Sequence, residues 1–334
     1  MLSKQPLYEQ LHLSLEEINE MLLNIIRSDQ ELDHTSELYY SIERMIAAGG
    51  KRLRPIMTLI GGRFGNPERI HLVWKAAGLL EYMHMASLVH DDVIDESELR
   101  RGEQALHAVT DIETAVHAGN YMIARALEWC SDEELLEEDF FTGAELAALI
   151  TELCVGEYNQ LQHRFDFDMT FEQYLEKTKR KTALLMGACM SAGAKAAGAA
   201  EEVAQKLYEF GESLGIAFQI YDDLLDFTSK SEEIGKPAGA DLRSGQLTLP
   251  VLYALDDEKQ AVVLRELHEA SQEEDFAIAV QMIEQSDALE RSRQTAQQYV
   301  EQAEHCASYF ADHPHYCDLQ VLVQYFAHAA KPKQ

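Results

Sequence analysis

The fold prediction starts from the stretch LLEYMHMASLVHDDVID, which spans residues 79–95. The largely apolar part from Leu79 to Val89 precedes three aspartates and has the composition of a helix. On a helix, Asp91 and Asp95 are one turn apart, so their carboxylates share one face. Two like charges at this spacing repel each other, and a cation between them converts the repulsion into coordination. Because Mg²⁺ is commonly held by one or two carboxylates together with water and substrate phosphate, the stretch predicts a helix that carries a magnesium site.

A second stretch, GIAFQIYDDLLD at residues 215–226, repeats both the apolar approach and the DDxxD spacing. Its aspartates are Asp222, Asp223 and Asp226. Taken alone, either motif also fits an acidic helix face in contact with water. However, apolar residues surround the aspartates of both motifs, and a merely solvated face has no need of them. The repetition therefore predicts two sets of metal-binding carboxylates.

Strong helix formers dominate the chain outside these two motifs as well. No proline occurs between Pro67 and Pro237, and this region is rich in Ala, Leu, Glu, Met and Gln. The sequence has no Asn-Gly or Asp-Gly pair, the usual signal of a β-hairpin. Breaks are expected at a few glycine-rich or polar segments, namely residues 49–50, 65–67, 97–102, 165–170 and 230–245. We therefore predict an all-α fold, a single large helical bundle that forms one domain over residues 1–334.

The chain is strongly acidic, with a formal net charge of -30 from 28 Lys and Arg and 58 Asp and Glu residues. Nucleic acid is therefore not an expected partner, because phosphate backbones are bound by clustered Lys and Arg. The 5 cysteines form no CxxC pair, which is typical of a reduced, cytoplasmic protein. The sequence shows neither a signal-peptide pattern nor an apolar run long enough to span a bilayer. We expect a soluble cytoplasmic protein, which leaves transient contact with a membrane surface open.

Basic residues gather in a few places, although the chain as a whole is acidic. The segment GGKRLRP at residues 49–55 opens with two glycines, whose backbone N–H groups can approach a phosphate, and adds three cations. Three further basic groups are Arg100–Arg101, Lys177–Lys181 and Lys236. Each group alone is most simply a surface charge. Their position beside the aspartate motifs predicts two diphosphate sites, one bound directly by Lys and Arg and the other bound through Mg²⁺.

Together these motifs resemble the trans-isoprenyl diphosphate synthase family, from about Gly49 to about Leu255. The order and spacing of the motifs are highly specific. Besides the two DDxxD motifs, they include GGKRLRP (49–55), EYMHMASLVHDDVIDESELRRG (81–102), KTALL (181–185) and TLPVLYAL (248–255). Within the family, the chain looks most similar to the large catalytic subunit, component II, of bacterial heptaprenyl diphosphate synthase. The resemblance implies the all-α isoprenoid synthase fold with a central active-site cavity.

The resemblance also implies roles for individual residues. The residues implied to hold isopentenyl diphosphate are Lys51, Arg54, His84 and Arg101. The residues implied to contact the allylic diphosphate are Arg100, Lys181, Thr182, Gln219 and Lys236. The residues implied to bind Mg²⁺ are Asp91, Asp95, Asp222 and Asp226. The implied catalytic group is Asp91, Asp92, Asp95, Lys181, Asp222 and Asp223. About three Mg²⁺ ions are expected with the allylic diphosphate bound.

The resemblance implies an elongation reaction. The allylic diphosphate leaves as a carbocation-like species forms, the double bond of isopentenyl diphosphate attacks it, and a proton is lost, with the departing diphosphate as the expected acceptor. Ala86, five positions before Asp91, is small where short-chain synthases carry an aromatic residue. This position predicts a medium- to long-chain, heptaprenyl-like product for a quinone side chain such as that of menaquinone. Met122 and Ile123 are expected to line or close the product tunnel further down.

Three positions depart from the family pattern, namely Gln104, Asn120 and Gln246. None of them removes a metal ligand. Two other functions fit parts of the sequence. A class I terpene cyclase shares one DDxxD motif but usually has a different second metal motif, and a non-catalytic partner subunit tends to lose aspartates that are all present here. The resemblance leaves a homodimer and a heterodimer with a small regulatory subunit as alternatives.

Overall fold

The computed structural model describes residues 6–100, 103–130, 143–228 and 238–329. Helices dominate this part of the chain. The strands found among the described residues, β1 (Leu99–Arg100) and β2 (Glu103–Gln104), form one short antiparallel pair. The prediction of an all-α fold is confirmed. Within the described ranges, no helix is both long and apolar enough to cross a membrane.

The described helices follow one another in three groups. Before residue 131 they are α1 (Leu7–Gln10), α2 (Leu15–Arg27), α3 (Glu37–Ala47), α4 (Leu53–Gly62), α5 (Ile70–Ile94), α6 (Leu106–Val109) and α7 (Ile112–Trp129). Between residues 143 and 228 they are α8 (Gly143–Gln162), α9 (Phe171–Thr178), α10 (Leu184–Ala196) and α11 (Glu201–Thr228), and a π-helical segment at Lys179–Ala183 joins α9 to α10. From residue 238 onward they are α12 (Ala240–Arg243), α13 (Leu249–Ala254), α14 (Glu258–Leu264), α15 (Glu273–Glu284), α16 (Ala288–Ser308) and α17 (Tyr316–Ala329).

The chain divides into two compact units. Unit 1 comprises Met1–Ala148 and Cys189–Leu207, and unit 2 comprises Leu149–Ala188 and Tyr208–Gln334. The first aspartate motif lies in unit 1, and the second lies in unit 2. The assignment of residues 1–334 to a single domain with a central cavity stays a prediction.

Helix α5 forms the centre of unit 1, because it is apolar on nearly all sides and buried along most of its length. It packs against α4 and α7. A Cβ atom at Gly119 of α7 would lie 2.4 Å from His90 Nε2, so this contact has no room for a larger side chain. Helix α4 meets residues 189–196 of α10 just as closely, since a Cβ atom at Gly193 would lie 1.9 Å from the Thr58 carbonyl oxygen. These close approaches fix α5 and its motif within unit 1.

The second motif lies close to the C-terminal end of α11 in unit 2. A Cβ atom at Gly215 would lie 2.5 Å from the Cα atom of Ala183, so α11 approaches the π-helical segment at backbone distance. Nearer the motif, the ring of Phe218 packs edge-on against Phe326 of α17, with centroids 5.7 Å apart. The end of α11 is therefore packed against both the π-helical segment and α17.

Side chains at helix N-termini explain where several helices begin. Ser14, Ser36 and Asp111 each accept a hydrogen bond from the backbone N–H three residues later, at 3.1, 3.1 and 2.7 Å. Thr170 and Gln173 form a complete capping box: the Gln173 N–H donates to Thr170 Oγ1 at 3.2 Å, and the Thr170 N–H donates to Gln173 Oε1 at 2.8 Å. This box starts α9, the helix that leads directly into the π-helical segment.

We expect Thr170→Ala to lower the free energy of unfolding by about 1 kcal/mol, because it removes the side-chain acceptor at the start of α9. Thr170→Ser keeps the acceptor and is expected to change stability little. Urea unfolding followed by circular dichroism measures both variants against the unaltered chain. Equal stability of Thr170→Ala and the unaltered chain would contradict the capping role.

Candidate functional site

The first DDxxD motif lies where α5 ends, with Ile94 as the last helical residue and Asp95 as the capping residue. The Asp95 N–H donates to the Asp91 carbonyl oxygen at 2.8 Å, so the helical spacing extends through the whole motif. Asp91 is half-buried, and Asp95 is exposed. The two outer aspartates are thus one turn apart at an accessible helix end, which suits binding of a cation shared with a ligand.

The middle aspartate of this motif, Asp92, is only 4% exposed. Arg100 on β1 binds its carboxylate, because Nε donates to Oδ1 at 2.7 Å and Nη2 donates to the same oxygen. The Ser97 N–H adds a hydrogen bond to the Asp92 carbonyl oxygen at 2.9 Å. Asp92 therefore ties the β1–β2 hairpin to the end of α5. Arg100 also keeps part of its guanidinium accessible to a ligand, since its side chain is 38% exposed.

A cavity of about 260 Å³ lies in unit 1 beside the Asp92–Arg100 pair. Apolar side chains from α3 and α5 form much of its wall. Ala86 is not among the lining residues. Its side chain is fully buried, as is that of Met122 on α7. The role of Ala86 in product length stays a prediction.

The three cations of the GGKRLRP segment have different surroundings. Lys51 is exposed, and Arg54 lies partly exposed in the first turn of α4. Burial lowers the pKa of Arg54, and the carboxylate of Glu81 opposes this effect. Arg52 is only 2% exposed and forms an ion pair with Glu81 at 3.0 Å. Arg52 therefore cannot face a phosphate, although the sequence of the GGKRLRP segment suggested three cations there. Lys51 and Arg54 remain candidates for binding a diphosphate. His84, one turn after Glu81 on α5, is 8% exposed.

In the second motif the middle aspartate is again buried, since Asp223 is 3% exposed whereas Asp222 is exposed. The Tyr174 hydroxyl donates to Asp223 Oδ2 at 2.7 Å, and Gln219 Nε2 donates to Asp223 Oδ1 at 3.0 Å. Burial, with the charge of Asp223 adding to it, holds the pKa of Tyr174 well above its ordinary value, so Tyr174 stays a donor. The Thr182 hydroxyl donates to Gln219 Oε1 at 2.7 Å. These bonds connect Thr182 and Gln219, both predicted to contact the allylic diphosphate, to the second DDxxD motif.

The last aspartate of the second motif, Asp226, binds the start of α12. Its Oδ1 accepts the Ala240 N–H at 3.0 Å, and its Oδ2 accepts the Asp241 N–H at 3.1 Å. Burial, with the charge of Asp223 adding to it, raises the pKa of Asp226, although the two backbone donors act in the opposite direction. A carboxylate has about four lone-pair sites, so the two backbone donors leave acceptor capacity on Asp226.

Asp241 is a further carboxylate at this site that the sequence did not reveal. Burial raises its pKa to about 7, the charges of Asp226 and Asp223 act in the same direction, and Lys181 lowers it. Asp241 belongs to neither DDxxD motif. Its contact with Asp226 depends on how α12 meets α11, so no spacing along the chain could have indicated it.

The basic group predicted at Lys177–Lys181 does not form one phosphate-facing cluster. Lys177 Nζ donates to the Leu247 carbonyl oxygen at 2.8 Å, and burial lowers its pKa. The next two basic residues form ion pairs with glutamates of unit 2. Lys181 Nζ lies 3.2 Å from Gln160 Oε1 and 3.8 Å from Glu157 Oε1. Lys181 stands in the π-helical segment, a helix irregularity that is frequent at functional sites.

The structure places the predicted site residues in two sets. Unit 1 contains Lys51, Arg54, His84, Asp91, Asp92, Asp95 and Arg100. Unit 2 contains Lys181, Thr182, Gln219, Asp222, Asp223 and Asp226. Hydrogen bonds join Asp92 to Arg100 in the first set, and Thr182 to Asp223 through Gln219 in the second. Arg101 and Lys236 lie outside the described residues.

The donor set of each motif fits Mg²⁺, which takes oxygen ligands and usually keeps water and substrate phosphate in its shell. Asp91 and Asp95 offer such oxygens in the first motif, and Asp222 and Asp226 offer them in the second. In the part of the chain that the structure describes, no group of three or more His, Cys, Asp or Glu side chains forms a complete metal site. Carboxylate pairs of this kind suit an ion that a bound diphosphate helps to hold.

A family model described as polyprenyl synthetase matches residues 35–285 of the chain. The chain is 41% identical to heptaprenyl diphosphate synthase component 2 of Geobacillus stearothermophilus over 261 residues, which cover 78% of this chain and 80% of the relative. It is 35% identical to the chloroplastic solanesyl-diphosphate synthase 2 of Oryza sativa subsp. japonica over 268 residues, which cover 78% of this chain and 65% of the relative.

Solved structures share the fold over nearly the whole chain. Heptaprenyl diphosphate synthase from Staphylococcus aureus has a TM-score of 0.86 at 29% identity, covering 99% of this chain and 100% of the other. A polyprenyl synthase from Caulobacter crescentus CB15, complexed with calcium and isoprenyl diphosphate, has a TM-score of 0.84 at 30% identity, covering 98% of each chain. The all-α fold is therefore the one shared by these isoprenoid synthases.

We expect Asp226→Asn to lower the free energy of unfolding by about 1–3 kcal/mol, because an amide nitrogen cannot accept one of the two hydrogen bonds from α12. Asp222→Asn, at an exposed position, is expected to change it by less than about 0.5 kcal/mol. Urea unfolding of both variants measures the difference. A larger loss for Asp222→Asn would show that the structural role assigned to Asp226 is wrong.

Proposed function

This chain belongs to the polyprenyl synthetase family, and we propose that it condenses isopentenyl diphosphate with an allylic prenyl diphosphate to form a medium- to long-chain all-trans polyprenyl diphosphate. The repeated arrangement of the two motifs carries the proposal. In each motif the middle aspartate is buried and hydrogen-bonded, while the first aspartate is more exposed near the end of a long helix. Such motifs supply oxygen ligands for metal ions that accompany a diphosphate leaving group.

We assign Mg²⁺ binding to Asp91 and Asp95 in the first motif and to Asp222 and Asp226 in the second. About three ions would accompany the allylic diphosphate, and they would neutralise the charge that develops as the diphosphate leaves. The Caulobacter crescentus protein, complexed with calcium and isoprenyl diphosphate, supports the pairing of a divalent cation with this class of ligand.

Basic and polar residues bind and orient the two diphosphates. The residues assigned to isopentenyl diphosphate are Lys51, Arg54, His84 and Arg101. The residues assigned to the allylic diphosphate are Arg100, Lys181, Thr182, Gln219 and Lys236. Arg100 contacts Asp92, and Lys181 contacts Gln160. Diphosphate oxygens would therefore join or replace the protein oxygens that contact Arg100 and Lys181. The existing contacts hold both side chains near the proposed diphosphate site.

The reaction breaks the bond between the terminal allylic carbon and its diphosphate oxygen, and the diphosphate keeps the electron pair. The double bond of isopentenyl diphosphate supplies the two electrons of the new carbon–carbon bond. The attack leaves the positive charge on the methyl-bearing carbon of isopentenyl diphosphate. Loss of a proton from the CH₂ group next to it, on the side of the diphosphate, forms the new double bond, and we assign this proton to the departing diphosphate. The chain's own residues then have two tasks, which are to hold both diphosphates and to keep water from the cationic carbon.

The alternative is a catalytic subunit that depends on a partner. The Geobacillus stearothermophilus relative is named component 2, which supports a heterodimer with a small dissimilar subunit, whereas a homodimer is the other arrangement. We also propose that the product is heptaprenyl-like and serves as a quinone side chain. The enzyme would act in the cytoplasm and contact the membrane transiently. Relatives named for heptaprenyl and solanesyl products support chain elongation. Because these products differ in length, the product length of this chain must be measured.

We expect the purified chain to form a discrete long product from farnesyl diphosphate, labelled isopentenyl diphosphate and Mg²⁺. Asp91→Ala is expected to reduce incorporation by at least about a hundredfold, because a ligand of a metal ion that stabilises the leaving group is lost. Glu98→Ala, at an exposed acidic position three residues after the motif, is the matched control and should retain activity. Sizing the dephosphorylated products measures activity and chain length together.

Equal incorporation by Asp91→Ala and the unaltered chain would contradict the proposed metal site. If the folded chain incorporates no label, the assay is repeated with a candidate small subunit. Activity that appears only in the mixture, and is lost again with Asp91→Ala, identifies a partner-dependent catalytic subunit. Absence of incorporation in the mixture would overturn the proposed function.

We expect Ala86→Phe to shorten the product, because an aromatic ring five positions before Asp91 occupies space beneath the motif. Ala86 is fully buried, so the larger side chain also costs roughly 1–3 kcal/mol of stability. Ala77→Phe, at another fully buried alanine of α5, imposes a similar cost further from the motif and should leave the product length unchanged. Chromatography of the dephosphorylated products compares the product lengths of the two variants. Identical products from Ala86→Phe and the unaltered chain would contradict the assigned role.

A further inference from the structure

Arg52 is a buried arginine inside the segment assigned to isopentenyl diphosphate, and its side chain is 0% exposed. Its Nη1 donates to Glu81 Oε1 at 3.0 Å, its Nε to Asn19 Oδ1 at 2.9 Å, and its Nη2 to the Ile46 carbonyl oxygen at 2.6 Å. The acceptors belong to α5, α2 and α3 respectively. One guanidinium group therefore connects three helices to the segment between α3 and α4.

The backbone around Arg52 has an unusual conformation. Arg52 itself has a φ of 48°, in the left-handed region that residues other than glycine rarely adopt. Gly49 and Gly50, just before it, have φ values of 73° and 140°. The buried Arg52 side chain, which is hydrogen-bonded to three helices, anchors this turn. Lys51 and Arg54, the residues assigned to the diphosphate, lie on either side of this anchor in the sequence.

Glu81 acts on two arginines. Its Oε1 accepts the hydrogen bond from Arg52, whereas its Oε2 is buried and has no hydrogen-bond partner among the described residues. The Nε of Arg54 is likewise buried, and it too has no hydrogen-bond partner in the described part of the chain. Burial lowers the pKa of Arg54, and the negative charge of Glu81 acts in the opposite direction.

Removing one partner of a buried ion pair leaves an uncompensated charge, which is strongly unfavourable. We propose that Arg52 is a positioning residue. It occupies Glu81, whose carboxylate would otherwise draw in the guanidinium of Arg54, and thereby keeps Arg54 available for the diphosphate of isopentenyl diphosphate. The inference rests on the proposed function, which assigns Arg54 to that diphosphate.

The test compares Arg52→Met with Glu81→Gln, because both break the same ion pair but only Arg52→Met leaves a charged carboxylate beside Arg54. We expect Arg52→Met to raise KM for isopentenyl diphosphate about tenfold or more, the effect of losing a charge-assisted hydrogen bond. KM for the allylic substrate should stay within about twofold, since its assigned ligands are unchanged. Glu81→Gln should raise KM for isopentenyl diphosphate less than about threefold, because Arg54 then has no competing carboxylate.

Two further variants test whether the rise in KM for isopentenyl diphosphate can be reversed. Arg52→Met combined with Glu81→Met removes both charges, which buried sites tolerate better than the loss of one partner. We expect this double variant to return KM for isopentenyl diphosphate to within about threefold of the unaltered value. Arg52→Lys keeps the positive charge and should also stay near the unaltered value. A merely structural role of Arg52 would instead lower the active fraction, and with it kcat, without a selective change in KM.

Arg125→Met is the matched control in unit 1. Arg125 Nε donates to Asp29 Oδ2 at 2.9 Å, and the Asp29 side chain is 1% exposed. The variant therefore leaves another buried carboxylate without its arginine, although the Arg125 side chain is 16% exposed, and the pair does not include the GGKRLRP segment. It should lower stability while leaving KM for isopentenyl diphosphate unchanged.

Equal rises in KM for isopentenyl diphosphate in Arg52→Met and Glu81→Gln, or no rise in Arg52→Met, would overturn the inference. Isothermal titration calorimetry with isopentenyl diphosphate gives the same comparison where turnover requires a partner. If Arg52→Met does not fold, weak binding by the double variant would overturn the inference instead. Lys51→Gln tests the assigned diphosphate site separately from the role of Arg52. Unchanged affinity of Lys51→Gln for isopentenyl diphosphate would show that the assigned site is wrong. If its KM for isopentenyl diphosphate rises, the site is supported, and the Arg52 and Glu81 variants test the positioning role.

Discussion

Burial of one carboxylate in each DDxxD motif is the constraint on which the rest of the site depends. A buried carboxylate without partners is costly, so the surrounding fold must satisfy it. In unit 1, Arg100 of the hairpin binds Asp92, and in unit 2, Tyr174 and Gln219 bind Asp223. Each pairing fixes the end of a long helix and, with it, the outer aspartates. Neighbouring hydrogen bonds therefore position the proposed metal ligands before any ion binds.

A chain with a net charge of -30 must bind anions against its own field. The structure shows that several of its cations are already engaged with carboxylates or carbonyl oxygens, as Arg52 is with Glu81 and Lys177 is with Leu247. A diphosphate then competes with these partners for the remaining donors. Divalent cations resolve the conflict, because they convert paired carboxylates from repulsive neighbours into ligands that attract phosphate oxygens. Metal ions thus make the acidic motifs compatible with an anionic substrate, while the basic residues are left for the second diphosphate.

The sequence was sufficient for features that depend on neighbours within a few residues. Helix propensity and the spacing of Asp91 and Asp95 act over one turn, so the all-α fold and the two motifs could be predicted from the residues and the family resemblance. Asp241, Tyr174 and Arg52 could not be assigned in this way. Their partners lie 15, 49 and 29 residues away respectively, and the contacts exist only after the helices have packed. Arg52 in particular looked like one cation among three until its burial separated it from Lys51 and Arg54.

Helix α5 links two parts of the proposed chemistry within one rigid element. Glu81, which controls the arginines of the GGKRLRP segment, and Asp91, a proposed metal ligand, are ten residues apart on it, or about 15 Å along a helix axis. Because α5 is buried along most of its length and approaches α7 without room for a side chain at Gly119, a shift at one end would disturb close packing. The separation of Glu81 from the first DDxxD motif is therefore set by helix geometry. Charged positions such as Glu81 are constrained by their ion-pair partners, whereas Ala86 is small and apolar. The proposal that product length varies at Ala86 therefore leaves those charged contacts unchanged.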